Sequence, residues 1–260
     1  MTENEKTIEA LLTAVQSNTL SVASAMKQLK QYNDIGFAKV DLHRKHRQGF
    51  PEVIFGEGKT AQQITDIIQT LLSNKEIILV TRIDADKANH VLNHYPQLEY
   101  YEQAKVLTTP IASIPKSTYK AAIICAGTSD LPIAEEAALT AQVMGTEIER
   151  VYDVGVSGIH RLFDHIETIR NCKVSIVIAG LEGALSSVIS GLVDHPVYAV
   201  PTSIGYGANL NGITTLLAMI NSCAPGTSVL NIDNGFGGGY NAAMLIHMLE
   251  QEQQTEESLW

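Results

Sequence analysis

The stretch VSIVIAGLEGALSSVISGLV, residues 174–193, decides the fold. Its β-branched apolar run, 174–178, is typical of a strand buried on both faces. The run ends at Gly180, and apolar residues at helical spacing follow from about Gly183. A strand that turns through glycines into a helix directs backbone N–H groups at one point, where an anion is favoured. The stretch therefore predicts one strand–turn–helix unit with a ligand site at its turn.

The same unit recurs before and after this stretch. The other strand patterns are KAAIICAGTSD, IERVYDVG, PVYAVPTS and TSVLNID, each followed by a helical pattern. Strands that alternate with helices of about 10–15 residues indicate a parallel sheet wound on both faces. Ligands of such sheets bind at the carboxyl ends of the strands. We therefore predict an α/β protein with a doubly wound parallel sheet and a site at these turns.

A smaller α/β region precedes the sheet domain. Residues 4–31 have the pattern of two short amphipathic helices, and a helical pattern from Gln62 leads into the strand EIILVTRI. The segment around Pro115 is typical of a linker. The predicted organisation is an N-terminal helical and small α/β domain over 1–115, the parallel-sheet domain over 116–250, and a frayed tail over 251–260.

The composition limits the classes of function. A formal net charge of −10 over 260 residues argues against a nucleic-acid partner, which selects a basic surface. No apolar run approaches the roughly 20 residues of a membrane span, and the N-terminal MTENEKTIEA lacks the apolar core of a signal peptide. Three widely spaced cysteines favour a reducing compartment and have no zinc-ligand spacing. We therefore expect a cytoplasmic protein with no nucleic-acid or membrane partner.

One segment is basic in this acidic chain. Arg44, Lys45 and Arg47 lie together, with His43 and His46 beside them. A charge run is usually a solvated turn. Arginine side chains also bind phosphate or carboxylate groups through their planar fork, so both interpretations stay open. The following GEGKT lacks the full spacing of a nucleoside-triphosphate loop, and we discount it.

The turns after the strands contain the candidate chemistry, and each is ambiguous alone. Glu182 stands in the glycine turn either as a helix-capping carboxylate or as a group that moves protons. His160 fits a helix-start residue as well as a catalytic one. The glycines 237–239 fit close helix packing as well as ligand binding.

The three cysteines differ in what their surroundings predict. Cys125 lies in the apolar run AAIICAG and is predicted to be a core residue, whereas Cys172 has no assignable role. Cys223 follows the helical pattern 213–221 and precedes APG. Because a helix C-terminus disfavours a thiolate, a nucleophilic Cys223 would need activation by a cationic substrate.

Taken together, the turns resemble a known enzyme family. Ser129-Asp130, the turn from Ser157 to His160-Arg161, AGLEGA with PVYAVP, and FGGGYNAA are similar to the aminoimidazole ribonucleotide carboxylase (AIR carboxylase) fold over roughly 120–250. Two features differ from the purine enzymes. The loop AGLEGALSSV has Glu182 and no histidine, and residues 1–110 have no counterpart in those enzymes.

Longer motifs resemble the LarB family nearly end to end, from about residue 35 to 245. They are VDLHRKHRQGFPEVIFGEGKT, GTSDLPIAEEA, RVYDVGVSGIHRL, AGLEGALSSVISGLVDHPVYAVPTSIGYG, and NSCAPG with NIDNGFG. This resemblance implies a carboxylase/hydrolase of nickel-pincer nucleotide cofactor synthesis. Nicotinic acid adenine dinucleotide would be carboxylated at pyridinium C5 by CO2, with Mg²⁺ assisting. Hydrolysis of its phosphoanhydride would give pyridinium-3,5-biscarboxylic acid mononucleotide and AMP.

The same resemblance implies roles for individual residues. A thiolate of Cys223 would add to the ring and Glu182 would assist the chemistry, with His160 as a further catalytic candidate. It also implies a homo-octamer, and it leaves the metal ligands unassigned. The expected substrate-binding residues are Ser129, Asp130, Arg161, Arg44, Arg47, Gly180, Gly183 and Gly237.

Elementary chemistry supports this assignment. A pyridinium ring is electron-poor and does not attack CO2. Addition of a thiolate at C4 gives a dihydropyridine whose C5 is nucleophilic, and loss of the C5 proton and the thiolate then restores aromaticity.

Two other functions stay open. The first is a carboxyaminoimidazole ribonucleotide mutase, which the missing histidine and the extra N-terminal region disfavour. The second is a non-catalytic nucleotide-binding module, which would leave Glu182, His160 and Cys223 idle.

Overall fold

The computed structural model describes residues 3–28 and 32–257. The chain opens with two helices, a two-stranded antiparallel hairpin and a third, short helix. These elements are α1 (Glu3–Gln16), α2 (Val22–Gln28), β1 (Tyr32–Asp34), β2 (Lys39–Asp41) and α3 (Arg44–Gln48). The two helices predicted over 4–31 are present in the described part of that range. The basic segment is helical, and it ends at Gly49, whose φ of 79° lies in the left-handed region that favours glycine.

The N-terminal domain is built on a mixed four-stranded sheet. Its elements are β3 (Ile54–Phe55), α4 (Ala61–Ser73), β4 (Leu79–Thr81), α5 (Ala85–His94), β5 (Glu99–Tyr101) and β6 (Val106–Thr108). The strand order is β3-β4-β6-β5, with β3 and β4 parallel and the other pairs antiparallel. Thr60 caps α4 in a capping box with Gln63, and Asp84 caps α5, so local sequence fixes where both helices begin.

The second domain is the predicted parallel sheet. Its strands are β7 (Lys120–Cys125), β8 (Glu147–Val151), β9 (Val174–Ala179), β10 (Val197–Pro201) and β11 (Thr227–Val229). The order is β11-β10-β9-β7-β8, and every neighbouring pair is parallel. The predicted fold class is therefore confirmed. Because β8 and β9 lie on opposite sides of β7, the chain reverses its winding there and opens a crevice at the carboxyl ends of β7 and β9.

Helices cover both faces of this sheet. They are α6 (Leu131–Val143), α7 (His160–Phe163), α8 (Ile166–Arg170), α9 (Ala184–Ser190), α10 (Ile213–Ile220) and α11 (Gly235–Glu257). Successive side chains of β7 point to opposite faces of the sheet, as they do in any β-strand. Ile123 and Cys125 pack in the core with α6 and α11, whereas Ile124 packs in the core with the other four helices. The prediction that Cys125 is a core residue is confirmed.

The glycines at the start of α11 allow it to approach α6 closely. A Cβ atom on Gly235 would lie 2.3 Å from the Ile133 carbonyl oxygen, and one on Gly239 would lie 2.2 Å from that of Ala137. Both distances are shorter than atoms tolerate. Of the two interpretations of this glycine-rich segment, close packing accounts for Gly239 and for Gly235 before it.

The helix α6 also joins the two domains. Leu139 and Val143 on α6 pack with Leu79 and Val106 of the N-terminal sheet in one apolar cluster. This helix therefore lies between its own sheet and the N-terminal domain, which explains why it is apolar on nearly every side.

The frayed tail predicted over 251–260 differs from the structure over 251–257, and the rest of that prediction, 258–260, lies outside the described residues. The helix α11 continues to Glu257. The residues that extend it are Gln, Glu and Thr, and Gln and Glu are good helix formers that need no buried partner.

One surface of the sheet domain is apolar and exposed. On α10 the buried residues are Thr215 and Met219, whereas Ile213, Leu217 and Ile220 point outwards. Leu217 is 61% exposed and Tyr206, in the preceding loop, is 86% exposed. No helix in the described part of the chain combines the length and apolar composition needed to span a bilayer.

Candidate active site

A cleft of about 350 Å³ opens at the carboxyl ends of β7, β8 and β9. We call it the Glu182 cleft. It brings together six of the predicted site residues, namely Ser129, Asp130, Arg161, Gly180, Glu182 and Gly183. These residues come from three different turns, so the sheet alone explains why residues 54 positions apart in sequence meet here.

The glycine turn that carries Glu182 is shaped by close contacts. A Cβ atom on Gly180 would lie 2.4 Å from the Ile204 carbonyl oxygen, so only glycine fits. Leu181 and Gly183 both have positive φ, 54° and 65°. The turn is tied to its neighbours because Leu181 N–H donates to the Ile204 carbonyl and Thr215 Oγ1–H donates to the Leu181 carbonyl. Gly180 and Gly183 therefore hold the turn in shape beside the cleft.

The carboxylate of Glu182 is exposed and lines the cleft. The cap position of α9 is Gly183, and no side chain caps this helix. Within residues 3–28 and 32–257, the Glu182 carboxylate has no hydrogen bond or ion pair. It is thus available to a bound molecule, which a carboxylate committed to helix capping would not be.

Asp130 forms the buried floor of the cleft. It is 4% exposed, and Thr202 Oγ1–H donates a hydrogen bond of 2.6 Å to its Oδ1. Gly127 N–H donates to Oδ2 at 3.2 Å. Burial raises the pKa of Asp130 above its ordinary value of 3.8, and the hydrogen bonds from Thr202 and Gly127 oppose part of this rise. Asp130 is therefore a fixed hydrogen-bond acceptor for whatever enters the cleft.

Arg161 supplies the positive charge of the cleft. Its guanidinium pairs with Asp153 at 2.7 Å, and both residues line the cleft. The Arg161 side chain is 39% exposed, so it keeps donors free for an anionic group of a ligand.

A second cleft, of about 410 Å³, lies between the two domains. We call it the interdomain cleft. Its charged lining residues are Glu57, Arg82, Asp84, Lys87, Lys105, Glu136 and Asp233. Ser129 and Ile204 line both clefts, so the two spaces are neighbours.

Arg82 links the domains across this cleft. It follows β4 with a positive φ of 52°, and its Nη2 donates to the Asp233 carbonyl of the sheet domain. Its Nε lies 3.5 Å from Oε1 of Glu136, which is 2% exposed. Burial raises the pKa of Glu136, and Arg82 and the backbone N–H of Phe236 counter that rise.

Arg82 and Glu136 are functional candidates that were not predicted from the sequence. The available signal was a second glutamate inside LPIAEEAALTAQV, an otherwise apolar helix, and an arginine directly after the buried strand EIILVT. A charged residue in an apolar element is buried only with a partner. The partner could not be identified from the sequence because the two residues are 54 positions apart.

Cys223 lies away from both clefts of its own chain. It is an exposed, free thiol in the loop between α10 and β11. In that loop, the carbonyl of Gly226 accepts a hydrogen bond from Val197, the first residue of β10. The loop is therefore at the amino ends of the strands, whereas Glu182 is at their carboxyl ends. A five-residue strand is about 16 Å long, so one chain does not bring the two groups together.

Two further predicted residues, His160 and Gly237, are not among those that line the Glu182 cleft. His160 is exposed at the start of α7. Gly237 lies in the first turn of α11, where its N–H donates to Asn234 Oδ1 at 2.9 Å. His160 is next to the cleft-lining Arg161, whereas Gly237 contributes to the helix start.

The basic cluster is also outside the two clefts. Arg44 pairs with Glu52 at 3.2 Å, and Arg47 pairs with Asp41 at 2.5 Å. The neighbouring Gln48 accepts a hydrogen bond from Tyr240 of α11. Both arginines thus have acidic partners in their own domain, and their contact with substrate stays a prediction.

The described residues do not form a metal cage. Within residues 3–28 and 32–257, no three His, Cys, Asp or Glu side chains are grouped to hold a metal ion. Magnesium in nucleotide enzymes is commonly held by one or two carboxylates together with phosphate oxygens. The side chains within these described residues therefore do not fit a Mg²⁺ ion that is held by protein donors alone.

Family models match both domains. Residues 120–258 match the AIR carboxylase model, and residues 32–111 match the LarB/PurE-like N-terminal domain. The fold and the cleft at its switch point thus define a protein of the AIR carboxylase type. With both domains matched, the chain belongs to the LarB family, and the resemblance described from its motifs is confirmed.

Individual relatives match either the whole chain or about half of it. An uncharacterized protein of Methanocaldococcus jannaschii is 39% identical over 257 residues, which are 95% of this chain and 99% of that protein. An N5-carboxyaminoimidazole ribonucleotide mutase of Pyrococcus abyssi is 33% identical over 132 residues, 48% of this chain and 70% of that protein. A probable mutase of the same name from Methanothermobacter thermautotrophicus is 29% identical over 150 residues, 56% of this chain and 43% of that protein. The similarity to mutases thus covers about half of the chain.

Proposed function

We propose that the protein carboxylates nicotinic acid adenine dinucleotide at pyridinium C5 and hydrolyses its phosphoanhydride, giving pyridinium-3,5-biscarboxylic acid mononucleotide and AMP. The observation that carries this proposal is the Glu182 carboxylate, which lines a cleft at the strand ends and has no protein partner among residues 3–28 and 32–257. Membership of the LarB family supports the substrate. The family class supports an enzyme of the carboxylase or mutase type.

In the proposed reaction, the thiolate of Cys223 adds to C4 of the pyridinium ring. The C5 carbon of the resulting dihydropyridine then forms a bond with CO2, and Glu182 removes the C5 proton. Expulsion of the thiolate restores the aromatic ring and frees the cysteine. Arg161 and Asp130 would orient the mononucleotide half, one by charge and the other as a hydrogen-bond acceptor. Water cleaves the phosphoanhydride in a separate step.

The position of Cys223 requires a second copy of the chain in this mechanism. Its loop lies at the far end of the strands from Glu182, and it directly follows α10. The exposed side of α10 carries Ile213, Leu217 and Ile220, an apolar surface of the kind that marks protein interfaces. We infer that this surface binds another copy and that Cys223 of one copy faces the Glu182 cleft of another. A homo-octamer, the assembly that the resemblance implies, would provide such contacts.

Magnesium has a limited role in this proposal. A Mg²⁺ ion would be held by phosphate oxygens of the substrate, a donor set that magnesium commonly uses together with one or two carboxylates. A bound Mg²⁺ would neutralise charge at the phosphoanhydride. The steps assigned above to protein residues do not involve it.

A second candidate is an N5-carboxyaminoimidazole ribonucleotide mutase. The similarity of about half the chain to mutases favours it. Two observations count against it, namely the glutamate in place of a histidine in the loop 179–188 and the N-terminal residues that line the interdomain cleft.

Parallel incubations separate the two candidates. The purified protein is given nicotinic acid adenine dinucleotide with bicarbonate and Mg²⁺, or N5-carboxyaminoimidazole ribonucleotide, and the products are analysed by mass spectrometry. The proposal predicts AMP and a biscarboxylated mononucleotide from the first mixture and no rearrangement in the second. Rearrangement of the ribonucleotide without conversion of the dinucleotide would contradict it.

A further inference from the structure

The loop that carries Cys223 is fastened to the helix α9 by a hydrogen bond between two side chains. Ser222 Oγ lies 2.8 Å from the Oγ of Ser187, a residue of α9. The same Ser222 Oγ accepts a hydrogen bond of 3.2 Å from the backbone N–H of Ala224. We propose that Ser222 is a positioning residue that, together with Ser187, holds Cys223 in the place where its thiol meets the pyridinium ring. This inference rests on the proposed function for the nucleophilic role of Cys223.

The hydrogen bonds of Ser222 lie on both sides of Cys223 in sequence. On the helix side, Ser222 N–H donates to the Met219 carbonyl at 3.1 Å, which joins Ser222 to the end of α10. On the loop side, the Ser222 hydroxyl accepts the N–H of Ala224, the residue directly after Cys223. A serine hydroxyl that bonds the backbone two residues further on forms a local turn. The backbone of Cys223 is therefore held before and after the cysteine by a single serine.

The other end of the loop has a separate attachment. A Cβ atom on Gly226 would lie 3.2 Å from the Oγ of Ser190, so the loop packs closely on the last residue of α9. The carbonyl of Gly226 also accepts the N–H of Val197 at 3.0 Å, which ties the loop to the start of β10. Loss of the Ser187–Ser222 bond would leave these contacts in place. The part of the loop that it would release is the part that carries Cys223.

The helix α9 connects this loop with the Glu182 turn of the same chain. The helix begins directly after that turn, and Thr215 of α10 donates from its Oγ1–H to the Leu181 carbonyl in the turn. The two helices are thus bonded near Glu182 and again near Cys223. In an assembly where Cys223 serves the cleft of a neighbouring copy, this arrangement fixes the thiol of one site relative to the carboxylate of another.

The placement of the thiol is expected to affect the rate of carboxylation more than substrate binding. A nucleophile and the carbon that it attacks must approach closely in a defined direction, and a misplacement of about 1 Å can cost roughly 100-fold in rate. Ser222 is not among the residues that line the Glu182 cleft, where Arg161 and Asp130 are proposed to orient the substrate. Loss of the Ser222 hydroxyl should therefore lower kcat and leave KM for the dinucleotide unchanged.

Steady-state kinetics of Ser222→Ala test the inference, with Ser222→Thr and Ser117→Ala as controls. Ser117 is a matched control because its half-buried hydroxyl also accepts a backbone N–H, that of Glu147 at 2.9 Å, but it lines neither cleft. We expect Ser222→Ala to lower kcat for carboxylation by about tenfold to 100-fold at unchanged KM. Ser222→Thr keeps the hydroxyl and should recover most of the rate, and Ser117→Ala should carboxylate as the wild type does.

Ser187→Ala tests whether the two hydroxyls act through one bond. This variant leaves the bond from Ala224 N–H to Ser222 intact, so it should slow carboxylation less than Ser222→Ala does. The double variant should be no slower than Ser222→Ala alone, because the second change removes a partner that has already lost its bond. Losses in rate that multiply in the double variant would contradict a joint role for Ser187 and Ser222.

Hydrogen exchange separates failure of this inference from failure of the proposed function. Peptides that cover 222–226 should exchange faster in Ser222→Ala than in the wild type, because the amide of Ala224 loses its acceptor, and Ser117→Ala should leave them unchanged. If the wild type converts the dinucleotide but Ser222→Ala keeps its kcat, or Ser222→Thr is as slow as Ser222→Ala, the positioning role is contradicted and the proposed function stands. If the wild type does not convert the dinucleotide, the proposed function is contradicted. Faster exchange in Ser222→Ala then still supports the hold of Ser222 on the loop, and unchanged exchange overturns it.

Discussion

Thr202 donates a 2.6 Å hydrogen bond to Asp130, and this bond joins the end of β10 to the turn after β7. Both residues are buried, and both lie at the carboxyl edge of the sheet. The bond crosses over β9, the strand between them, and fixes the floor of the Glu182 cleft relative to its walls. The shape of the site therefore depends on a contact between side chains 72 residues apart.

Replacing Thr202 tests this contact. Thr202→Val keeps the shape of the side chain but leaves a buried carboxylate one donor short, which should lower the free energy of unfolding by about 1–3 kcal/mol. Because the bond opposes the burial that raises the pKa of Asp130, its loss raises that pKa further. A group whose pKa is raised on folding costs stability as the pH rises through that pKa. Urea unfolding between acid and neutral pH should thus give a deficit that grows with pH, with Thr202→Ser as the control that keeps the hydroxyl. A deficit independent of pH would contradict the role of Asp130.

Glu182 is expected to matter for rate and not for stability. A general base contributes about 10²–10⁴-fold, so Glu182→Gln should slow carboxylation by at least the lower figure. Its melting temperature should match that of the wild type because the Glu182 carboxylate is exposed and has no partner within the described residues 3–28 and 32–257. Glu167→Gln, another exposed glutamate that lies outside the cleft, serves as the control. Near-normal carboxylation by Glu182→Gln would mean that another residue is the general base, with His160 as the next candidate.

The apolar side of α10 is predicted to be an interface between copies. Leu217→Asp places a charge on it and should shift the assembly towards smaller species in multi-angle light scattering. Leu217→Met keeps the apolar surface and should leave the mass unchanged. If the wild type is a monomer at working concentration, or if Leu217→Asp assembles as the wild type does, this surface is not the interface.

Mixed assemblies test whether Cys223 and Glu182 act across copies. Cys223→Ser is expected to lack carboxylation activity, and Glu182→Gln to keep at most about a hundredth of it. Because the two groups lie at opposite ends of the strands in one chain, co-expressed variants should form some sites with both groups intact and recover part of the activity. A lack of recovery in assemblies shown to contain both chains would mean that one chain supplies both groups.

The parallel sheet and one of the two clefts, the Glu182 cleft, could be predicted from the sequence. Periodicity predicts strands and helices, and the parallel arrangement then brings the turns at Ser129, Arg161 and Glu182 to the same edge. The rule depends only on the order of elements, so it needs no knowledge of side-chain contacts.

What the sequence did not reveal depends on tertiary contacts. Arg82 and Glu136 meet only because α6 packs between the two domains. The distance of Cys223 from its own cleft follows from the direction of α10 back to the start of β11. Residues 251–257 were predicted as a frayed tail but are helical, because a run of polar residues is compatible with a helix as well as with a coil.

The fate of labelled carbon tests the covalent role of Cys223 most directly. Wild-type protein and Cys223→Ser are incubated with nicotinic acid adenine dinucleotide, ¹³C-bicarbonate and Mg²⁺, and the mononucleotide product is weighed by mass spectrometry. Serine has a hydroxyl that is far less ionised than a thiol at neutral pH, so it should not add to the ring. The covalent mechanism predicts a biscarboxylated mononucleotide with one ¹³C atom from the wild type and none from Cys223→Ser. Labelled product from Cys223→Ser at the wild-type rate, or no labelled product from the wild type, would contradict it.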